Sequence, residues 1–122
     1  MTDQPAIVKT QVGTAMFTES ELPEGQVQAG IRTARDHSLV SVPGMSAGIY
    51  ENQAGVVRTE STAEETLFVL AGTATIELDT GQLVSVGPGD LAYVPKGHVV
   101  TWTFDDVFRI IYVISSGGSS EQ

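Results

Sequence analysis

Two carboxylates five positions apart, Glu60 and Glu65, with Arg58 just ahead of them, are the residues of this chain whose types and spacing invite chemistry. If they converge, they can hold a hard divalent cation, or a transition metal with water completing its shell. Arg58 beside such an ion would repel it. In a confined and partly apolar cavity the two carboxylates repel each other, and one rises toward neutral pH, where it serves as a general acid or base. Arg58 then offers a bidentate contact to a substrate carboxylate. The plainer alternative pairs Arg58 with one carboxylate in a satisfied polar network. His98, directly after Pro95-Lys96-Gly97, is of the residue type that can shuttle a proton near pH 7, or it is simply a polar loop side chain. His37, within Arg35-Asp36-His37-Ser38, sits among charges and reads as a surface residue.

Composition narrows the partners these residues can meet. The chain has 122 residues, 15 acidic and 6 basic side chains, a formal net charge of -9 and no cysteine. An acidic balance argues against nucleic acid and against anionic membrane surfaces, where Lys and Arg supply most of the affinity. Without cysteine there is no disulfide scaffold, zinc finger, thiol nucleophile or iron–sulfur site. No Gly-x-Ser-x-Gly elbow supports a serine hydrolase, and no glycine run continues into the Lys-Ser/Thr of a phosphate loop. No apolar run approaches the roughly 20 residues of a membrane span, and no charged-then-apolar leader opens the sequence. The expectation is a cytoplasmic single domain, long enough to bury roughly two-thirds of its unfolded surface.

The elements that must position the candidate residues read as strands. β-Branched residues dominate from residue 47 onward, and they fit strands better than helices. The segments 47–51, 56–60, 66–70, 73–78, 82–86, 91–94, 99–104 and 107–114 are separated by turn chemistry such as Asp79-Thr80-Gly81, Gly87-Pro88-Gly89-Asp90 and Pro95-Lys96-Gly97. Short strands at this spacing indicate an all-β sandwich or barrel. Ahead of them, Ile7–Val12 and Gln26–Arg35 read as strands and Glu19–Gly25 as a loop. Residues 1–46 are expected to form an arm packing on the barrel or on a dimer partner, 47–114 the barrel core, and 115–122 a flexible Gly/Ser-rich tail.

The pattern from Gly48 to Ile114 resembles a cupin, a double-stranded β-helix or jelly roll of the RmlC-like type. Two spacings carry the likeness. Glu65 is followed after six residues by Gly72, and Gly89 after five residues by Pro95-Lys96-Gly97. Three of the four positions that hold metal ligands in many cupins carry other residues here. Counting back from Glu65, the histidine positions hold Arg58 and Glu60, and the third holds Val100. A closer resemblance is to the small cupins related to the ethanolamine-utilisation EutQ domain and to (S)-ureidoglycine aminohydrolase. It rests on Ala47–Glu51, Glu65–Gly72, Pro95–Trp102 and Arg109–Val113, with Tyr50 where that group often has Trp and Arg109 where it often has Lys.

The resemblance implies that Glu65 faces the barrel lumen, and strand alternation then sorts its neighbours. It places Val56, Arg58 and Glu60 on the inner face of one strand and Val100, Trp102 and Phe104 on that of another. Tyr50, Tyr93 and Tyr112 are further candidates to line the cavity, whose wall is aromatic. On this reading Glu65 and Glu60 are the catalytic candidates. Arg58, Tyr50, Tyr93, Trp102, Phe104, Tyr112 and His98 are the ligand-binding ones. No cofactor is expected; if a divalent metal binds, Glu60 and Glu65 hold it. The expected function is binding of a small amine- or carboxylate-bearing metabolite, with proton transfer that needs no histidine-based metal centre. The alternatives are a non-catalytic dimeric sensor or accessory cupin, and a metal-dependent cupin enzyme, which Arg58, Glu60 and Val100 disfavour. A homodimer is expected, with no nucleic-acid or membrane partner.

Overall fold

In a computed structural model, which describes residues 6–116, eleven strands form two antiparallel sheets. They are β1 (Thr18–Glu21), β2 (Val27–Gly30), β3 (Thr33–Val42), β4 (Met45–Asn52), β5 (Gly55–Glu60), β6 (Glu64–Ala71), β7 (Ala74–Leu78), β8 (Leu83–Val86), β9 (Leu91–Val94), β10 (Val99–Phe104) and β11 (Phe108–Ser115). The first sheet has the order β1-β3-β4-β11-β6-β9 and the second β2-β5-β10-β7-β8. Every strand expected from residue 47 onward is present, with ends moved by one or two residues. The protein is all-β, and its two sheets make the jelly-roll barrel of a cupin. Among the described residues no helix is long and apolar enough to cross a membrane.

The amino-terminal expectations need correcting. Ile7–Val12 is not a strand, and only a short 3-10 turn forms, at Val12–Thr14. Gln26–Arg35 is two strands rather than one. Gly30, at a φ of 94°, breaks the run, and the space a side chain would need there is taken by the backbone of Ala54 and Gly55. The segment read as a loop contains β1, which pairs with β3, while β2 pairs with β5. The first 46 residues therefore contribute strands to both sheets. The tail expected from residue 115 begins with the last residue of β11, and its residues 117–122 lie outside the described part of the chain.

Apolar packing concentrates between β6, β7, β9 and β10. Leu67, Val69 and Val100 are almost wholly buried there, with Ile76, Val86 and Val94 around them. Each such side chain stabilises the fold by about 1.5–3 kcal/mol relative to exposure. Toward β3, β4, β5 and β11 the two sheets are less filled, and a cavity opens between them.

On the outer face of the first sheet the chain preceding β1 lies across β3, β4 and β11. Glu51 of β4 is 3% exposed. It accepts a bond from Arg35 of β3 at 2.9 Å and two from Arg109 of β11 at 2.7 and 3.0 Å. The register sets this row, because Glu51 stands opposite Arg35 on one side and Arg109 on the other. The Phe17 ring covers both guanidinium groups, with centroid distances of 4.8 and 5.3 Å. His37 is half-buried rather than a free surface residue, and its Nδ1 donates to the Met16 carbonyl at 2.7 Å. Two arginines, both partly solvated, thus balance one buried carboxylate.

Candidate functional site

Cross-strand partners share a face of a sheet, so the pairing of β5 with β10 decides which β5 side chains point inward. Trp102 stands opposite Val57, and Val100 opposite Thr59. Val100 and Phe104 are buried and Trp102 lines the cavity, as the alternation of 99–104 anticipates. Val57 and Thr59 are consequently the inward residues of β5. Arg58 and Glu60 point the other way and are exposed, so the expectation that they join Glu65 in the lumen is corrected. The reason is the register of β5 on β10, which turns Val57 and Thr59 inward. β5 ends at Glu60 and β6 begins at Glu64. Counted with three residues, 62–64, before Glu65, the histidine positions fall on Ser61 and, two residues earlier, on the inward Thr59, whereas Arg58 and Glu60 require four. A shift of one residue moves every side chain to the opposite face.

The cavity has a volume of about 450 Å³, within the range of small-molecule sites. Glu65 of β6 faces it, as do Tyr50 of β4 and Tyr112 of β11, Trp102 and Phe104 of β10, and Phe108 at the start of β11. The rings pack in two groups, a trio and a pair. Trp102 and Phe104 are stacked with centroids 6.1 Å apart, Phe104 meets Phe108 at 5.2 Å, and Tyr50 meets Tyr112 edge-on at 6.3 Å. Asn52, Thr59 and Ser46 add short polar groups.

A second carboxylate, absent from the sequence expectations, enters from β3. Asp36 lines the cavity and accepts the Tyr112 hydroxyl hydrogen at 2.9 Å. Tyr112 reaches it across β4 because its cross-strand partner there is Gly48. A Cβ on Gly48 would stand 2.9 Å from the Tyr112 hydroxyl and collide with the His37 carbonyl. The strand read over Gln26–Arg35 stops one residue short of Asp36. The local signal that could have found it is the alternation of Arg35 and His37 with Asp36 and Ser38, once this stretch is read as a strand; a bulge after Ser38 ends that alternation.

Electrostatics distinguishes the two acids. Burial pushes Glu65 up to about 7. Among the described residues no side chain or backbone group hydrogen-bonds its carboxylate. Burial raises Tyr50, and the charges of Asp36 and Glu65 raise it further. Tyr112 is raised by burial first and then by its bond to Asp36. Both phenols are therefore neutral hydrogen-bonding groups at physiological pH. None of the chain's six basic side chains and neither histidine lines the cavity.

The remaining candidates lie elsewhere. Tyr93 is exposed on the outer face of β9 and donates to Glu64, which raises its pKa. His98 is half-buried away from the cavity, where its Nδ1 donates to Asp79 Oδ1 at 2.8 Å. Asp79 Oδ2 accepts the Val99 amide hydrogen at 2.9 Å, and these two bonds hold the Asp79 carboxyl below its ordinary pKa. His98 thus ties the loop before β10 to the turn after β7. Ser61 fastens the same loop by donating to the Pro95 carbonyl at 2.7 Å.

A metal centre does not fit the residues present. The positions that carry ligands in many cupins hold Thr59, Ser61, Glu65 and Val100, and Glu60 is on the outside. Among the described residues no three His, Cys, Asp or Glu side chains converge as a metal site. Imidazole is the donor that suits zinc, iron, copper and nickel, and no histidine lines this cavity.

Two antiparallel sheets enclosing a ligand-sized cavity, with the motif glutamate on its wall, define the class as a cupin. The model of the EutQ-like cupin domain matches residues 43–112, more than half of the sequence, and the chain belongs to that family. The acetate kinase EutQ of Clostridioides difficile strain 630 is 28% identical over 112 residues, covering 91% of this chain and 71% of that protein. Among solved structures, the putative ethanolamine-utilisation protein EutQ of Salmonella typhimurium LT2 superposes with a TM-score of 0.65. Its identity is 17%, over 87% of this chain and 100% of that one. A DUF861-family protein of unknown function from Pseudomonas syringae pv. tomato gives 0.74 at 19% identity, over 84% of this chain and 45% of that one. At these identities the structural likenesses speak for the fold alone.

Proposed function

We propose that this cupin takes a small organic amine into its barrel cavity as a cation and exchanges a proton with it through Glu65. One observation carries the reading: Asp36 and Glu65 face an aromatic-walled cavity into which no basic side chain points. Buried carboxylates favour a counter-charge from the ligand when the protein supplies none. The faces of Trp102, Tyr50 and Phe104 attract an alkylammonium as well. Removing Arg58 from the lumen takes away the anchor for a carboxylate-bearing ligand, so the amine is the member of the expected pair that the geometry supports. The clostridial relative is named an acetate kinase. In this cavity acetate or a phosphate group would meet two carboxylates and no compensating cation, which argues against carrying that activity over.

Glu65, without a hydrogen-bond partner among the described residues and raised toward neutrality by burial, is the group suited to acid–base exchange. The test is calorimetric titration at pH 7 with n-butylamine, n-propylamine and butyrate. Binding of the amines without butyrate supports the reading. Binding of butyrate alone overturns it.

A dimeric accessory role is the second reading, supported by the outer face of the first sheet. Leu91, Phe68 and Ile111 form one cross-strand row there, beside Val113, and Leu91 is 72% exposed at the edge strand β9. A second copy covering this apolar row is the occupant we propose, on the strength of that unpaired edge. Sedimentation equilibrium of the wild type and of Leu91→Asp tests it: a wild-type monomer sinks the reading.

A further inference from the structure

Within the amine reading, the placement of the two carboxylates specifies the ligand more narrowly. Asp36 lies on β3 and Glu65 on β6, with β4 and β11 between them. Three inter-strand steps separate their backbones by roughly 14 Å across the sheet. They are also offset along the strands. Asp36 falls in the row of Tyr50 and Ile110, whereas Glu65 falls opposite Ile114, four residues further along β11. Tyr50 and Tyr112 stand between the two acids, and both tyrosines feel the charge of each. One ammonium group placed to donate to either carboxylate is therefore out of reach of the other.

The wall between the acids is hydrocarbon and aromatic. Ile110 and Tyr112 project from β11 along the line joining them, and Trp102 and Phe104 face that line from the opposite sheet. Such a wall accepts methylene groups and offers no third charge. The hydrogen-bonding capacity at the two ends is also suited to ammonium groups. Asp36 commits Oδ1 to the Tyr112 hydroxyl, which leaves Oδ2 free, and Glu65 has both oxygens free among the described residues.

We infer that the cavity is built for a linear α,ω-diamine, a dication whose two ammonium groups lie at Asp36 and Glu65 with its methylene chain along the aromatic wall between them. When both acids are ionised, such a ligand neutralises the cavity, which a monoamine does not. A supporting consequence concerns protons. Glu65 is partly protonated at neutral pH, so docking an ammonium against it drives the proton off.

The test is calorimetric titration at pH 7 of the wild type, Asp36→Asn and Glu65→Gln with α,ω-diamines of increasing chain length and with the matched n-alkylamines. Circular dichroism and thermal unfolding of each variant establish that it is folded. The expected result is a diamine affinity that peaks at one chain length, roughly ten- to hundredfold above the matched monoamine. Each substitution removes that advantage and returns the diamine to about the monoamine level. Repeating the titration in two buffers of different ionisation enthalpy should show proton release on diamine binding in the wild type but not in Glu65→Gln. Equal affinity for diamine and monoamine overturns the inference and leaves the amine reading standing. Failure of every amine to bind overturns both.

Discussion

The Tyr112 hydroxyl of β11 reaches the Asp36 carboxylate of β3 at 2.9 Å by passing over Gly48 of the intervening strand β4. This contact links three strands across the inner face and holds one of the two cavity acids in place. Gly48→Ala should therefore do more than its size suggests. Its Cβ meets the His37 carbonyl and the Tyr112 hydroxyl, so overpacking should cost about 1–3 kcal/mol and displace the tyrosine. Tyr112→Phe, which only removes the bond and orphans Asp36, should also cost about 1–3 kcal/mol. Urea unfolding distinguishes the two residues: the glycine is structurally unimportant if Gly48→Ala unfolds at the wild-type midpoint.

Glu65 makes a prediction about pH. Its pKa rises from the ordinary 4.5 to about 7 on folding, so the native state binds more protons than the unfolded chain between those values. The contribution of Glu65 is thus most favourable below about pH 4.5, declines as pH rises through about 7, and is flat above. The full change is up to about 3 kcal/mol. Glu65→Gln has no such titration, so the stability difference between wild type and variant should swing toward the variant as pH rises. Denaturant unfolding at a series of pH values measures this, and a pH-independent difference contradicts it.

Arg58 and Glu60 point away from the cavity, and their replacement should test little beyond the surface. Arg58→Ala and Glu60→Ala should each change stability by no more than about 0.5 kcal/mol and leave amine binding at the wild-type level. Trp102→Ala removes a cavity wall and should weaken binding. Calorimetry across the three variants checks the assignment of faces. A loss of binding in Arg58→Ala alone reverses it.

The row Arg35, Glu51 and Arg109 should be stability-critical although it lies outside the cavity. Glu51→Ala leaves two guanidinium groups facing each other under Phe17. Both arginines remain partly solvated, so the cost should be about 2 kcal/mol, below that of breaking a fully buried pair. Phe17→Ala should cost less. Thermal unfolding of the two variants orders these effects.

Metal content follows from the donor set. Protein purified without chelator should carry well below one transition-metal ion per chain, and added Zn²⁺ or Mn²⁺ should leave the unfolding temperature unchanged. Elemental analysis and thermal scans read both. A stoichiometric metal ion removes the basis for reading Glu65 as a free acid–base group.

Turn residues and β-branched segments determine, from the sequence alone, the eight strands after residue 46, and the spacings Glu65–Gly72 and Gly89–Pro95 determine the cupin class. Alternation also places Trp102 and Phe104 on the inside correctly, because both lie on the same short strand as the buried Val100. What the sequence leaves open is parity between strands. A strand's side chains repeat every two residues, so counting three rather than four residues back from Glu65 exchanges Arg58 and Glu60 for Thr59 and Ser61 and so changes which face of β5 is taken as inward. Only the pairing of Val57 with Trp102 settles that choice. Asp36 was hidden for a related reason. It sits in a polar run, Arg35-Asp36-His37, whose local chemistry does not mark it as a strand. It becomes one because β4 supplies hydrogen-bonding partners on one side and Phe17 covers the charged outer face. The sequence thus determined the barrel and one of its acids; the tertiary structure alone decided which second charge shares the cavity.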